Sequence, residues 1–193
     1  MDVTAKSLSP DRKKRFTLII LAYPFAMLLI GLAANLLFFG ISQVTITLPA
    51  PMVVNALIAA AILLVINHAW LMTSTELTRL NHNLHATPEE WAASGTTKDS
   101  ATKEALAELE RRHNAHRNTT ENTIYFVLLA AIFCIVSPPA AAAITWLTGF
   151  AVARLGYTYS YLRGHDDARG IFMSASLIAM FGMASYLAIA AMI

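Results

Sequence analysis

Five long apolar stretches restrict the folds that this sequence can adopt. They cover residues 16–40, 48–73, 122–137, 139–162 and 170–193, and only the fourth contains a charge, that of Arg154. A helix needs about 20 apolar residues to cross a bilayer, so four stretches qualify by their own length. The third qualifies if its helix begins earlier, in the polar region before Asn122. The sequence therefore predicts an all-α integral membrane helix bundle with five spans.

The composition excludes several other classes of protein. Of the 193 residues, 56% are hydrophobic and 13% are charged, whereas a water-soluble domain usually has about 25% charged residues. A soluble enzyme, a disordered regulator and a nucleic-acid-binding protein are therefore poor fits. The single cysteine, Cys134, also excludes an internal disulfide framework and a cysteine-rich zinc site.

The first apolar stretch is predicted to be a retained transmembrane helix. It follows a basic segment, residues 12–15, but it is much longer than the apolar core of a cleaved signal peptide, which has about 7–15 residues. We therefore divide the chain into residues 1–47, a basic N-terminus with one additional helix, and residues 48–193, a four-helix membrane domain. A loop is expected over about residues 74–100.

The positions of the basic residues predict the orientation of the chain. Lysine and arginine lie before residue 16, within residues 79–117 and at positions 154, 163 and 169, whereas residues 41–47 and 137–138 have none. With five spans the basic regions share one side, which the positive-inside rule makes cytoplasmic. We expect a multi-pass protein with a cytoplasmic N-terminus, in a bacterial inner membrane or alternatively in an endoplasmic reticulum.

One long helix is predicted to begin in water and continue through the third span. The segment around Pro88 and residues 94–97 has the composition of a loop. From Ser100, a plausible N-cap, strong helix formers follow, and nothing breaks the helix before Pro138.

This helix carries the first group of candidate functional residues. Glu110, Asn114, Arg117 and Glu121 follow a helical repeat and share one face, and Asn118 borders it. For residues 108–112 a solvated, ion-paired helix end is the preferred interpretation. For Arg117, Asn118 and Glu121 we prefer a functional role, because ionisable groups at a membrane edge are costly and usually point into the bundle.

A second group lies on the fourth apolar stretch. The spacing places Arg154, Tyr157 and Tyr161 on one helix face. A buried arginine needs an anionic partner, and Glu121 or Glu110 is the available choice. A structural ion pair and a ligand contact remain equally favoured for Arg154. Two roles also remain open for Arg169, at the start of the last helix: a positive-inside anchor, or a cation that stabilises a thiolate.

Histidines form two pairs with a spacing of three, His82 with His85 and His113 with His116. These pairs lack the adjacent histidines of membrane di-iron enzymes, so we predict no metal. Three polar residues of the second apolar stretch are expected to form hydrogen bonds between helices; they are Asn55, Asn67 and His68.

Several of these polar residues, in this order, resemble the MAPEG family, membrane-associated proteins in eicosanoid and glutathione metabolism. The resemblance covers about residues 55–193 and is greatest to the microsomal glutathione transferase and prostaglandin E synthase branches. Arg79, followed by residues 87–90, also resembles the end of the family's first helix and the loop after it. The motif residues are Glu110, Arg111, Ala115, His116, Arg117, Asn118, Glu121, Arg154, Tyr157, Tyr161 and Arg169.

The resemblance implies a four-helix core assembled as a homotrimer, with glutathione bound between subunits near the cytoplasmic face. Lipophilic small-molecule substrates would enter from the membrane lipid. Arg169 would stabilise the thiolate of glutathione, and Arg154 would be a buried structural or binding arginine. The residues that the resemblance assigns to glutathione binding are Arg79, Arg117, Asn118, Glu121, Tyr157 and Tyr161.

Three departures from the family pattern leave alternatives open, and one of them is the turn between Tyr161 and Arg169, which differs in length by about one residue. Residues 16–40 form an additional helix, and Asn114 stands where many members have arginine. The resemblance implies a glutathione-dependent transferase or peroxidase that acts on lipophilic electrophiles. The alternatives are a non-catalytic lipid-binding or scaffolding protein and, with less support because no inverted repeat is present, a transporter.

Overall fold

The computed structural model describes residues 10–193, and this part of the chain is helical without strands. Short loops connect the helices, and a 3₁₀ turn, Lys98–Ser100, precedes α4. The α-helices are α1 (Pro10–Ala34), α2 (Pro51–His82), α3 (Pro88–Ser94), α4 (Lys103–Ile135), α5 (Ala140–Ala143), α6 (Gly149–Arg163) and α7 (Asp166–Ala190).

Four of these helical segments are long and apolar enough to cross a membrane: Asp11–Phe39, Pro51–His82, Lys103–Ile135 and Asp166–Ala190. The first includes a π-helical turn, Asn35–Phe39, that continues α1. The prediction of an all-α membrane bundle is therefore confirmed.

The fourth apolar stretch is also helical, although its geometry changes along its length. A π-helical turn, Ile144–Thr148, joins α5 to α6, and the residues at both junctions keep right-handed helical backbone angles. A continuous helical segment of this length rises about 1.5 Å per residue and is long enough to span the hydrocarbon core.

The long helix before Pro138 is confirmed, but its start differs from the prediction. The N-cap is Thr102, whose hydroxyl oxygen accepts a hydrogen bond from the Ala105 amide at 3.2 Å, whereas Ser100 lies in the 3₁₀ turn. The segment predicted as a loop contains α3, because Thr87 caps Glu90 and Pro88 suits a first helical position.

The loop predicted over residues 74–100 is also shorter than expected, since α2 continues to His82. Its last turns bury Thr75 and Thr78, each of which donates a hydrogen bond to the carbonyl four residues earlier. This internal pairing satisfies the two hydroxyls, so the helix can bury them without a partner from another helix.

The additional helix packs along the last one. Gly31 and Gly182 permit close approach, because a Cβ on Gly31 would lie 2.7 Å from the Gly182 nitrogen. Near the middle of α1, about two turns before Gly31, the Tyr23 hydroxyl is 2.8 Å from the Ser174 hydroxyl. Helix α1 is therefore attached to the bundle at two levels.

A buried polar residue fixes the end of this additional helix. The Asn35 amide donates hydrogen bonds to the Gly182 carbonyl at 2.7 Å and the Ser185 hydroxyl at 3.0 Å, and it accepts one from the Trp146 indole at 2.9 Å. Its side chain is fully buried. Polar pairing of this kind stabilises contacts between helices where no water competes.

The hydrophobic core lies between α2, α4, the segment from α5 to α6, and α7. Phe126 stacks on Phe150 with ring centres 4.1 Å apart, and Phe133 meets Tyr186 edge to face. The outward faces are apolar as well, with Leu37 75% exposed. Apolar residues on both faces are typical of helices whose solvent is lipid.

Candidate functional site

Arg154 is the most deeply buried charged residue that the structure describes, with no exposed side-chain surface. Its guanidinium donates two hydrogen bonds from Nη2, to Asn118 Oδ1 at 2.9 Å and to Thr119 Oγ1 at 2.8 Å. Helix α6 positions it toward α4, the helix that carries both acceptors. The predicted ion pair with Glu121 or Glu110 is wrong, because the acceptors that contact the guanidinium are neutral oxygen atoms of α4.

No carboxylate within residues 10–193 forms an ion pair with Arg154. The Tyr157 ring lies against the guanidinium, with its centre 4.2 Å from Cζ. The Nε atom is buried without a hydrogen-bond partner in this part of the chain. A cation in a low-dielectric interior without a nearby acid is costly, and its field favours a negative charge close by.

Contacts extend from Arg154 toward the end of α6. The rings of Tyr157 and Tyr161 have centres 5.5 Å apart, and Arg169 places its Cζ 5.0 Å from the centre of the Tyr161 ring. The shared face of the two tyrosines with Arg154 is therefore confirmed. Arg169 also forms an ion pair with Asp166 at 3.2 Å. Two arginines from different helices thus flank one pair of tyrosines.

A second set of candidate residues lies on the exposed side of α4. Arg117 and Glu121 are both exposed and line an open cavity of about 390 Å³ with His113, His116 and Thr120. Neither side chain forms a hydrogen bond or an ion pair with another residue in the described range. Their charges therefore face outward from this chain at the polar end of an apolar helix.

Arg79 lies near this second set, at the end of α2. Its guanidinium forms an ion pair with Glu76, and its Nη2 lies 3.3 Å from His113 Nε2. The contact links α2 to the side of α4 that bears Arg117. Earlier in α4, Arg111 and Arg112 both form ion pairs with Glu108, which confirms the interpretation of residues 108–112 as an ion-paired helix end.

The structure thus divides the eight predicted site residues between two faces of the bundle. Asn118, Arg154, Tyr157, Tyr161 and Arg169 form one continuous series of contacts inside the chain. The other set lies at the open cavity: Arg117 and Glu121 line it, and Arg79 lies beside it, in contact with His113. Helix α4 joins the sets, since Arg117 and Asn118 are consecutive. One copy of the chain does not enclose all eight in one cavity.

Several residues in contact with these sets were not predicted from the sequence. Thr119 accepts a hydrogen bond from Arg154, and Met173 places its sulfur 3.6 Å from the Arg154 Nη1 atom. The role of Thr119 could not be read from the sequence, because it depends on how α4 is rotated toward α6. No sequence pattern marks Met173, since methionine is common on apolar helices.

The predicted hydrogen bonds of the polar residues of α2 had different outcomes. His68 Nδ1 lies 3.3 Å from His116 Nε2, which confirms its predicted hydrogen bond between helices. Asn67 is buried without a partner among the described residues and Asn55 is exposed, so these two predictions were wrong. Within residues 10–193, no three His, Cys, Asp or Glu side chains are grouped as metal ligands.

Comparisons with known proteins give the family. The sequence model of the MAPEG family matches residues 57–189, while a search of the curated proteins found no match. The matched region begins within α2 and ends within α7, so α1 lies outside it. It includes both sets of candidate residues. The four-helix arrangement, the charged segment of α4 and this match together show that the chain belongs to the MAPEG family.

Proposed function

We propose that this protein is a membrane-bound, glutathione-dependent transferase or peroxidase that acts on lipophilic electrophiles. The observation that carries the proposal is two arginines without acidic partners, of which one lies inside the bundle and the other lies next to an unpaired carboxylate. Arg154 has only neutral acceptors, and Arg117 lies beside Glu121 on the open side of α4. Glutathione complements this set, because it carries two carboxylates, one ammonium group and a thiol.

Each group of the tripeptide has a counterpart in this arrangement. Arg117 and Arg79 offer guanidinium groups for a carboxylate, which arginine binds in a bidentate manner. Glu121 offers a carboxylate for the ammonium group. Arg169 is 39% exposed in its side chain, and a cation at that position would favour the thiolate over the thiol. The thiolate is the nucleophilic form, so this preference raises the reactive fraction at neutral pH.

A second copy of the chain would complete the site. Arg117 and Glu121 point away from the bundle, and charged groups at a membrane edge are most stable when buried against other polar groups. We propose a homotrimer in which this face of α4 meets the neighbouring subunit and glutathione lies between them. The basic segments would then place the site at the cytoplasmic surface of a bacterial inner membrane or an endoplasmic reticulum.

Calorimetry with purified protein in detergent tests the assignment. Arg117→Ala and Glu121→Ala should each abolish measurable glutathione binding, because each removes the charge that pairs with a ligand group. Lys103→Ala is the matched control, since Lys103 is an exposed charge on the same helix. Unchanged affinity in both site variants would overturn the site assignment.

Turnover distinguishes an enzyme from a scaffolding member of the family. Glutathione-dependent conversion of a chloronitrobenzene by the unmodified protein supports the enzyme. Glutathione binding without turnover, together with retained lipid binding, would favour the non-catalytic alternative.

A further inference from the structure

A small cavity lies between the end of α2, helix α3 and the first half of α4. It has a volume of about 160 Å³, which is less than the range of about 300–1,000 Å³ that is typical of drug-sized ligands but several times the volume of about 30 Å³ that one water takes up. Its lining includes Arg79, His85, Lys98 and His113, and no acidic side chain of residues 10–193 lines it. The size and the lining suit a small anion.

Arg79 has a hydrogen-bond donor that the described part of the chain does not use. Its Nη1 atom pairs with Glu76, and its Nη2 atom lies 3.3 Å from His113 Nε2. Its Nε atom is buried without a hydrogen-bond partner within residues 10–193. A buried donor without a partner costs free energy, which an anionic acceptor would recover.

The contact with Arg79 also decides which nitrogen of His113 can donate. A guanidinium group only donates hydrogen bonds, so His113 Nε2 is the acceptor in this contact. The proton of the neutral ring is then on Nδ1. His113 can therefore donate a hydrogen bond to an anion through Nδ1 without becoming charged.

Lys98 provides a second positive charge from another part of the chain. It begins the 3₁₀ turn before α4, and its side chain forms no ion pair or hydrogen bond with another residue of the described range. The rings of His85 and Trp91, which also line the cavity, meet edge to face with their centres 4.7 Å apart. The donors therefore come from α2, from the segment after it, from the 3₁₀ turn and from α4.

Two glutamates close to the cavity have partners of their own. Glu76 pairs with Arg79, and Glu90 accepts a hydrogen bond from the Ala86 amide at 2.7 Å, next to the start of α3. Neither of them lines the cavity. Lys98 is thus left without an acidic partner among the described residues, and its charge is available to a ligand.

This cavity is distinct from the open cavity of the candidate glutathione site. His113 is the only residue that lines both. Arg117 and Glu121 line the open cavity alone, whereas Lys98 and His85 line the small cavity and not the open one. Lys98 therefore provides a test that leaves the proposed glutathione ligands unchanged.

We propose that the small cavity binds a phosphate group, which belongs either to free phosphate or to a lipid headgroup. Arg79 and Lys98 balance the negative charge, and His85 and His113 donate to the remaining oxygen atoms. A tetrahedral oxyanion presents acceptors in several directions, which suits donors that come from four parts of the chain. The inference does not rest on the proposed function, because phosphate binding here requires no glutathione.

Calorimetry with inorganic phosphate tests the site on the full chain, purified in dodecyl maltoside and kept at constant ionic strength. Lys98→Ala should weaken phosphate binding at least tenfold, a loss of about 1.4 kcal/mol, whereas Lys98→Arg keeps the charge and should bind nearly as well as the unmodified protein. Lys103→Ala is the matched control, since Lys103 is an exposed lysine that does not line the cavity. Equal weakening in Lys98→Ala and Lys103→Ala would overturn the inference, because it would show attraction to the general charge of the surface.

Thermal unfolding in the same detergent is a second readout that does not depend on the heat of binding. Lys98 is exposed, so Lys98→Ala should unfold at the temperature of the unmodified protein when phosphate is absent. Phosphate should raise the Tm of the unmodified protein and of Lys98→Arg, because a ligand that binds only the folded state stabilises it. A rise of the same size in Lys98→Ala would overturn the inference.

A short-chain lipid, dihexanoyl phosphatidic acid, distinguishes the two sources of the phosphate group. Tighter binding of this lipid than of inorganic phosphate, with the same dependence on Lys98, supports a lipid headgroup, and the reverse order supports the free ion. If the unmodified protein binds neither, the inference is overturned.

Two further results separate this cavity from the candidate glutathione site. If Arg117→Ala abolishes phosphate binding and Lys98→Ala does not change it, phosphate occupies the open cavity and the inference is overturned. If the unmodified protein binds phosphate through Lys98 but does not bind glutathione, the proposed function fails and this inference stands.

Discussion

Replacing Arg154 separates two roles that a buried arginine can have, holding helices together and attracting an anion. We compare Arg154→Met, which keeps much of the volume and removes the charge, with Arg154→Ala, which removes both. Arg154→Lys keeps the charge but changes the geometry of its hydrogen bonds. We expect the methionine variant to remain folded and to lose glutathione binding.

The magnitude follows from two opposing effects at Arg154. The guanidinium donates two hydrogen bonds, at 2.9 Å and 2.8 Å, and hydrogen bonds to a charged group contribute about 1.5–3 kcal/mol each. Burying the cation costs several kcal/mol, because no acid pairs with it. These effects nearly cancel, so Arg154→Met should change the free energy of unfolding by only about 1 kcal/mol.

The neutral partners can adapt to the loss of Arg154. The Thr119 hydroxyl can turn to a carbonyl of its own helix, and Asn118 Oδ1 keeps its 3.5 Å contact with the Asn122 amide. Arg154→Ala leaves a cavity as well, which costs about 3–5 kcal/mol for a large side chain. For a chain of this size that corresponds to a fall in Tm on the order of 10 °C.

Thermal unfolding in detergent, followed by circular dichroism, measures the stabilities, and calorimetry measures glutathione affinity. Arg154→Met should unfold close to the unmodified protein and bind glutathione at least tenfold more weakly, a loss of about 1.4 kcal/mol. Arg154→Lys should bind with intermediate affinity. If the methionine variant unfolds at as low a temperature as the alanine variant, the hydrogen bonds of Arg154 hold the helices together. If it binds glutathione normally, the charge of Arg154 has no part in anion binding.

Two further predictions concern the additional helix. Asn35→Ala should lower stability by about 2 kcal/mol or more, because it removes three buried hydrogen bonds of about 1 kcal/mol each; Leu36→Ala, at a 57% exposed position, is the control in thermal unfolding. Gly31→Ala should lower stability by about 1–3 kcal/mol, because its Cβ would meet the Gly182 backbone at 2.7 Å. Gly149→Ala, a helical position with nothing within 4 Å of the added atom, should instead raise stability by about 0.5–1 kcal/mol. If Gly149→Ala lowers stability as much as Gly31→Ala does, the close contact at Gly31 is contradicted. If Asn35→Ala does not lower stability, the role of its hydrogen bonds is contradicted.

Part of the candidate site could be predicted from helical periodicity alone. The face shared by Arg154, Tyr157 and Tyr161 depends only on their spacing, and the structure confirms it. The partner of Arg154 could not be predicted in this way, because it depends on the rotation of α4 about its axis. That rotation places Asn118 and Thr119, and not Glu121, toward α6.

The helix ends show a similar division. Residues 98–102 contain more than one plausible cap, and local composition did not distinguish Ser100 from Thr102. The 3₁₀ turn at Lys98–Ser100 decides the choice, because it delays the start of α4. Likewise, α2 continues past its apolar stretch, where the hydroxyls of its buried threonines bond to carbonyls of the same helix.

The sequence by itself determined that the chain is a helical membrane bundle. Long uncharged segments have no stable alternative in water, and helices satisfy every backbone polar group within one segment in lipid. Only the tertiary structure decided which polar groups meet. Lipid provides little hydrophobic force to orient one apolar helix against another, so close approach at Gly31 and Gly182 and hydrogen bonds such as those of Asn35 and Arg154 fix the packing.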